Sequence, residues 1–266
     1  MKFLFEANNI GILKGNTIIE WEEGLTIVVG GNGTGKTTIF HALQEANKSS
    51  SIKLKLDGFS FFMPKELEFL SFISEDSLMF TQLLKNNYLT IKSFNLPEEE
   101  ISLILSKSIG SVLKNKLDGF SKFGYKKWGE NPFQLILSGW KSWKIIDSET
   151  KEDISDLFIA VGEQLCLGLV FVSTLRNYLS NYRLPLIIDC LGGRLDSYLR
   201  IIVTNYILSL KNVPILLIES PLSIPETLYN KVKYILLYDE KLKSSELIPA
   251  DSNWRNLVGM NSFSFD

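Results

Sequence analysis

The sequence has little of the chemistry on which disulfide frameworks and zinc sites depend, because it contains two cysteines and one histidine in 266 residues. Cys166 and Cys190 lie in strongly apolar surroundings and have no CxxC spacing, which argues against both kinds of site. A reducing, intracellular compartment is therefore expected. The single histidine, His41, is interpreted as a residue on the face of a helix.

Net charge and long apolar runs are also scarce. The formal net charge is −2, which argues against a generally basic nucleic-acid-binding coat, so any such contact must come from a local patch. Apolar runs such as LCLGLVFV are far shorter than the roughly 20 residues that span a bilayer. The first residues alternate like strands and lack the features of a secretory signal. We therefore expect a cytoplasmic globular protein without a membrane segment.

The strongest positive signal is a glycine-rich loop between a β-branched apolar run and a helical pattern. Residues 30–37 read GGNGTGKT, which satisfies G-x-x-x-x-G-K-[ST] in full. Glycines let backbone N–H groups turn inward around phosphates, and a helix that begins at Lys36 directs its N-terminal dipole at the same anion. The Lys36 charge would bind the β- and γ-phosphates, and the Thr37 hydroxyl would bind Mg²⁺. The predicted nucleotide-binding residues are Gly30, Asn32, Gly33, Thr34, Gly35, Lys36, Thr37 and Thr38.

Strands and helices alternate in the second half of the chain. Residues 161–179 and 194–210 have the apolar spacing of helices, whereas residues 184–189 and 213–220 are short apolar runs of the buried-strand type. This alternation predicts an α/β protein with a parallel sheet that is covered on both faces.

Together these motifs resemble an ATP-binding-cassette (ABC) ATPase head, and the chain is most similar to the SMC/RecF-like DNA repair and chromosome-maintenance ATPases. The similarity covers residues 1–46, with Asn32 inside the loop, and residues 157–220. AVGEQLCLGLVFV resembles the signature helix, and its distance from Asp189 resembles that of the repair heads more than the shorter gap of transporter cassettes. The signature positions are Ala160, Val161, Gly162 and Glu163.

The resemblance implies a P-loop NTPase fold, with a two-lobed ABC-type head, a mixed or parallel sheet core and a helical and β-hairpin insertion. Residues 1–80 would form the N-terminal lobe with the P-loop and a candidate Q-loop, residues 81–155 the insertion, and residues 156–266 the signature, Walker B and C-terminal lobe of this single head. No sustained heptad or CxxC hook is present, so we expect no coiled-coil arm. Residues 132–147 predict a hairpin, and residues 96–117 a helix.

The family pattern implies roles for several polar residues. Two heads of this family sandwich two ATP molecules, each held by one P-loop and by the signature of the opposite head. Asp189 stands at the Walker B position that binds Mg²⁺, and Asp196 at the D-loop position that touches the opposite head. Four further positions are altered: Ala160 replaces the signature serine, Glu75 the Q-loop glutamine and Cys190 the glutamate base, while Glu219 and Ser220 stand where a histidine is expected.

Two interpretations of these alterations remain open. Loss of a positioned general base costs on the order of 10²–10⁴ in rate, so the chain would bind Mg-ATP and hydrolyse it slowly or not at all. Alternatively, Glu219 or Glu75 replaces the base in an active DNA-stimulated ATPase, and Glu75 is also a possible Mg²⁺ ligand. A nucleotide-binding subunit of a membrane transporter is a further alternative.

The middle of the chain carries a local cluster of basic and aromatic residues. Lysines interleaved with Phe, Tyr and Trp can follow a phosphate backbone and stack bases, but they also suit a protein partner or a solvated edge hairpin. The lysines within residues 112–144 are Lys114, Lys116, Lys122, Lys126, Lys127, Lys141 and Lys144. The resemblance further implies a homodimer or a heterodimer with another ABC-type head, and a nuclease or other effector as a possible partner.

Overall fold

The computed structural model divides the chain into two compact units. The first comprises Met1–Ser74, Arg183–Leu195 and Thr204–Asp266, and the second Glu75–Tyr182 and Asp196–Val203. The structure describes residues 1–46, 48, 50–74, 83, 86–87, 90–91, 93–94, 96–97, 100, 103, 133–138, 142–147, 150–151, 161–179, 184–190, 193 and 195–259.

A mixed, ten-stranded sheet dominates the first unit. Its strands are β1 (Lys2–Ile10), β2 (Leu13–Glu22), β3 (Gly24–Gly30), β4 (Ile52–Leu56), β5 (Phe59–Ser60), β6 (Phe72–Ser74), β9 (Leu186–Asp189), β10 (Pro214–Glu219), β11 (Val232–Asp239) and β12 (Ser244–Pro249). They lie in the order β5-β4-β1-β2-β12-β11-β3-β10-β9-β6. The same unit contains α1 (Lys36–Gln44) and the short α4 (Trp254–Leu257), with 3₁₀ turns at Lys65–Leu70, Pro221–Ser223 and Glu226–Lys231.

One side of this sheet is antiparallel. β1 pairs antiparallel with both β2 and β4, and its alternating sequence buries Phe3, Phe5 and Ala7 on one face. This face belongs to one apolar cluster with Ile39 and Phe40 of α1. The strand-like alternation predicted for the first residues is confirmed, and its period of two corresponds to a strand with one buried face.

The other side of the sheet is parallel. β10 lies between β3 and β9 and is parallel to both, and β6 pairs parallel with β9. Every residue of β9 and β10 is buried, which explains their continuous apolar sequences. The register sets Ile218 opposite Asp189 and Glu219 opposite Val29. The carboxyl ends of these strands therefore meet at one edge of the sheet.

The second unit contains a separate two-stranded sheet and a long helix. β7 (Phe133–Ser138) and β8 (Ser142–Asp147) form an antiparallel hairpin, as predicted for residues 132–147. The helix predicted over residues 161–179 is confirmed as α2 (Val161–Tyr178). The residues of α3 (Ser197–Ser209), predicted as a helix over residues 194–210, divide between the two units.

Two predictions for the middle of the chain lie mainly outside the described residues. The helix predicted over residues 96–117 is described at a few positions only, and of the lysine cluster only the backbone of Lys144 is described, in β8. Among the helices that the structure does describe, none combines the length and the apolar character that a bilayer crossing needs.

Candidate nucleotide-binding site

The glycine-rich loop connects the carboxyl end of β3 to the first residue of α1. β3 ends at Gly30 and α1 begins at Lys36, so the predicted strand, loop and helix succession is confirmed. Gly33 and Gly35 have φ angles of 77° and 98°. These left-handed angles are costly for residues with a Cβ, so glycine is the residue that lets the loop turn back into the helix.

Two glycines of the loop lie so close to neighbouring side chains that there is no room for a Cβ atom. A Cβ on Gly30 would lie 2.4 Å from Thr34 Oγ1 and 2.8 Å from Leu236 Cβ. A Cβ on Gly35 would lie 2.9 Å from Ile12 Cγ2, in the turn between β1 and β2. The loop is therefore supported by residues distant in sequence, and no motif marks Ile12 or Leu236 for this role.

Lys36 is bound within the loop that precedes it. Its side chain is buried, and Nζ donates hydrogen bonds to the carbonyl oxygens of Gly30 (2.9 Å) and Gly31 (2.8 Å). The Thr34 hydroxyl donates to the same Gly31 carbonyl at 2.9 Å. These bonds hold the positive charge at the mouth of the loop, where the helix dipole also favours an anion.

Asp189 is the buried carboxylate of this site. It ends β9, and its Oδ1 atom has no hydrogen-bond partner among the described residues. Burial raises the pKa of Asp189, while hydrogen bonds from the Cys190 thiol and the Thr37 hydroxyl and the charge of Lys36 act in the opposite direction. An unpaired, buried carboxylate oxygen next to a threonine hydroxyl is the type of donor set that Mg²⁺ prefers.

A Mg²⁺ ion at this position would need ligands beyond the protein side chains. No group of three or more His, Cys, Asp or Glu side chains in the described part of the chain is arranged to hold a metal ion. Asp189 and Thr37 fit the usual arrangement for nucleotide-bound Mg²⁺, in which one or two protein ligands are completed by phosphate oxygens and water.

Cys190 directly follows Asp189, the residue predicted to stand at the Walker B position. Its φ angle of 50° is left-handed, and its N–H donates to the carbonyl of Ile218 at 2.8 Å. Burial raises the pKa of the Cys190 thiol, and the negative charges of Asp189 and Glu219 raise it further. Burial is the largest of these causes. The thiol is protonated at neutral pH and cannot accept a proton there.

Glu219 stands beside this pair on the neighbouring strand. It is the last residue of β10 and is 4% exposed. Its Oε1 accepts a hydrogen bond of 2.7 Å from the backbone N–H of Ser220. Ser220 is half-buried and precedes the 3₁₀ turn Pro221–Ser223. The structure therefore brings Asp189, Cys190 and Glu219 together at the end of the parallel strands, whereas Glu75 lies outside the described residues.

The remaining predicted residues of this unit lie on the glycine-rich loop and on α1. Asn32 and Gly33 are exposed at the tip of the loop, and Thr38 is half-buried on α1, where its Cγ2 would lie 2.9 Å from a Cβ on Gly11. His41 is exposed on α1 and its Nδ1 lies 3.1 Å from Gln44 Oε1, as expected for a helix-face residue.

In the second unit, two of the predicted motifs are only partly described. Asp196 Oδ1 accepts a hydrogen bond of 2.8 Å from the backbone N–H of Leu199, so this aspartate caps α3. Val161 is exposed and Gly162 is buried at the start of α2, while Ala160 and the Glu163 side chain lie outside the described residues.

No family model and no curated protein sequence matches the chain. Among solved structures, the SMC head bound to the C-winged helix domain of ScpA is 13% identical with a TM-score of 0.54, covering 95% of this chain and 98% of that chain. The SMC head domain from Thermotoga maritima is 11% identical with a TM-score of 0.51, and the match covers 94% of this chain and 98% of that chain. A nucleotide-free ATP-binding cassette from an ABC transporter is 17% identical with a TM-score of 0.53, and the match covers 97% of this chain and 95% of that chain. The chain has the fold of ABC-type P-loop ATPase heads.

Replacing Asp189 by asparagine should raise the melting temperature of the nucleotide-free protein at neutral pH. The folded-state pKa of Asp189 lies above its unfolded value, so the ionised carboxylate costs stability and this cost is lost as pH falls through the folded pKa. Asp189→Asn removes this cost. If the site binds Mg-ATP, the variant should also lose the stabilisation by this ligand, which for a ligand at 100 times its Kd is about 2.7 kcal/mol. Thermal unfolding with and without Mg-ATP measures both effects.

The exposed Glu246 provides the control for this prediction, because Glu246→Gln also neutralises a carboxylate but lies on β12. It should change neither quantity. A lower melting temperature for nucleotide-free Asp189→Asn would mean that the carboxylate makes hydrogen bonds that the fold requires.

Proposed function

We propose that this chain is a Mg-ATP-binding head of the ABC type whose ATP hydrolysis is impaired. The observation that carries the proposal is the juxtaposition of a complete phosphate-binding loop with the buried, unpaired Oδ1 of Asp189, next to a protonated thiol at the position of the general base. Lys36 and the loop amides would bind the phosphates, and Thr37 and Asp189 would hold Mg²⁺. The ion would neutralise phosphate charge, while Cys190 leaves the attacking water without a base at its usual place.

We propose further that ATP acts mainly to join two heads. The fold is shared with SMC heads and with transporter cassettes at similar TM-scores, so the choice between them in this proposal rests on sequence features. The SMC/RecF-like N-terminal lobe and the signature spacing favour a homodimer or heterodimer in DNA repair, chromosome maintenance or defence against foreign DNA, with a nuclease or other effector as a possible partner. Copurification with a membrane permease would instead favour the transporter alternative.

The lysine cluster within residues 112–144 is the proposed DNA contact of this head. Its charge and aromatic content support binding to a phosphate backbone. We also propose that the chain forms a single head in which this insertion lies between two lobes in the sequence.

The identity of the retained nucleotide tests the proposed function. Purified protein incubated with labelled ATP and Mg²⁺ should retain mostly intact ATP for hours, because the phosphates are held while no base stands at residue 190. Chromatography of the nucleotide released by denaturation measures the ATP to ADP ratio over time. Prompt conversion to ADP would contradict impaired hydrolysis, and absence of any retained nucleotide would contradict ATP binding itself.

A further inference from the structure

The residue after Asp189 carries no carboxylate, but the adjacent strand, β10, ends in a residue that does. β10 lies between the strand that leads into the P-loop and the strand that ends at Asp189. Ile218 is opposite Asp189, and the N–H of Cys190 donates to the carbonyl of the same Ile218 at 2.8 Å. Glu219 is therefore the next residue of β10 beyond the point where Asp189 and Cys190 meet that strand.

The Glu219 carboxylate is also held in place. It is 4% exposed, and the 2.7 Å hydrogen bond from Ser220 N–H to Oε1 restrains its position. The negative charge of Glu219 raises the pKa of the Cys190 thiol, so the two side chains lie close enough to interact. Glu219 is also opposite Val29 of β3, so this buried carboxylate ends a strand directly next to the one that leads into the phosphate-binding loop.

From this geometry we propose that Glu219 orients and deprotonates the attacking water in the slow ATP hydrolysis of this chain. The inference rests on the proposed function. The water oxygen forms a bond to the γ-phosphorus and its proton passes to the Glu219 carboxylate. The bond from the γ-phosphorus to the β–γ bridging oxygen breaks, and its electron pair leaves with ADP. In this arrangement the base lies one strand away from residue 190, where a second carboxylate would place like charges side by side.

A set of four proteins tests this inference: wild type, Glu219→Gln, Cys190→Glu and the double variant. Glutamine keeps an oxygen that can accept the Ser220 N–H, so Glu219→Gln removes the charge while preserving the hydrogen bond of the strand end. We expect unchanged affinity for Mg-ATPγS and a fall in single-turnover conversion of bound ATP by about 100-fold, the lower end of what a positioned base contributes. Glu226→Gln, at an exposed site of the same unit, is the matched control and should behave as wild type.

The double variant separates a catalytic from a structural role. Cys190→Glu should lower the melting temperature, because its carboxylate faces Glu219, and should increase turnover. In that background, Glu219→Gln should raise the melting temperature and leave turnover unchanged.

Three results would overturn the inference: a Glu219→Gln rate equal to that of wild type, no conversion at all by wild type, or a joint loss of affinity and rate, which would make Glu219 structural. If wild type fails to retain any nucleotide, the proposed function itself fails, which is a distinct outcome.

Discussion

Lys36→Ala should weaken Mg-ATP binding by about 100-fold or more, because hydrogen bonds to a charged group contribute roughly 1.5–3 kcal/mol each. Lys36 Nζ is buried and fixed by the carbonyls of Gly30 and Gly31, so its charge is already placed at the loop before the phosphates bind. Its loss removes this charge and leaves both carbonyls without that donor. Isothermal titration with Mg-ATP measures the affinity, and circular dichroism verifies the fold.

Lys48 provides the control for Lys36. It lies beyond α1, is 61% exposed and pairs with Glu45 at 2.9 Å, so Lys48→Ala removes the same charge from the surface of the same unit. We expect this variant to bind Mg-ATP with wild-type affinity. Equal losses in the two variants would mean that general charge, rather than the geometry of the loop, governs binding.

The features that the sequence predicts well are those encoded locally. The strand, loop and helix around Lys36 depend on neighbouring residues, and the buried strands β9 and β10 are apparent from continuous apolar runs. The hairpin of β7 and β8 likewise forms between two strand-like segments that are close in sequence. Period, length and turn residues determine such elements, so a single sequence is sufficient to predict them.

The features that the sequence does not predict depend on contacts between distant residues. Ile12 supports Gly35 only because the turn between β1 and β2 lies behind the loop. The neighbourhood of Cys190 and Glu219 depends on which strands are adjacent, and the left-handed conformation of Cys190 has no local signature. The family pattern identifies both positions as altered, but the charge that acts between them follows from the register of β10.

The cap formed by Asp196 shows a second limit of motif reasoning. The family pattern assigns this aspartate to a contact with an opposite head, whereas within this chain it accepts the Leu199 N–H at the start of α3. An N-cap aspartate contributes about 1 kcal/mol to helix stability, so the motif carries a structural function whether or not a second head is bound. Loss of dimerisation in an Asp196 variant therefore has to be compared with its loss of stability.

Gly35→Ala should destabilise the protein by roughly 2–5 kcal/mol, the sum of two effects. A left-handed φ costs a residue with a Cβ about 1–2 kcal/mol, and overpacking costs about 1–3 kcal/mol. Gly35 has a φ of 98°, and its Cβ would lie 2.9 Å from Ile12 Cγ2 and 3.3 Å from Leu13 Cγ. Relief of the overlap would move the start of α1, so Mg-ATP affinity should fall with stability. Urea unfolding and titration with Mg-ATP measure the two losses.

The variant Gly58→Ala measures the cost of backbone strain alone, without steric overlap. Gly58 has a φ of 87°, which is also left-handed, but a Cβ there meets no described atom within 4 Å. Gly58→Ala should therefore cost only the backbone contribution of about 1–2 kcal/mol and leave Mg-ATP affinity unchanged. Ile12→Ala in the Gly35→Ala background removes the contacting methyl group, so the double variant should be more stable than the sum of the single losses predicts. Equal destabilisation by Gly35→Ala and Gly58→Ala would show that the turn between β1 and β2 yields to the added methyl group and does not hold the phosphate-binding loop in place.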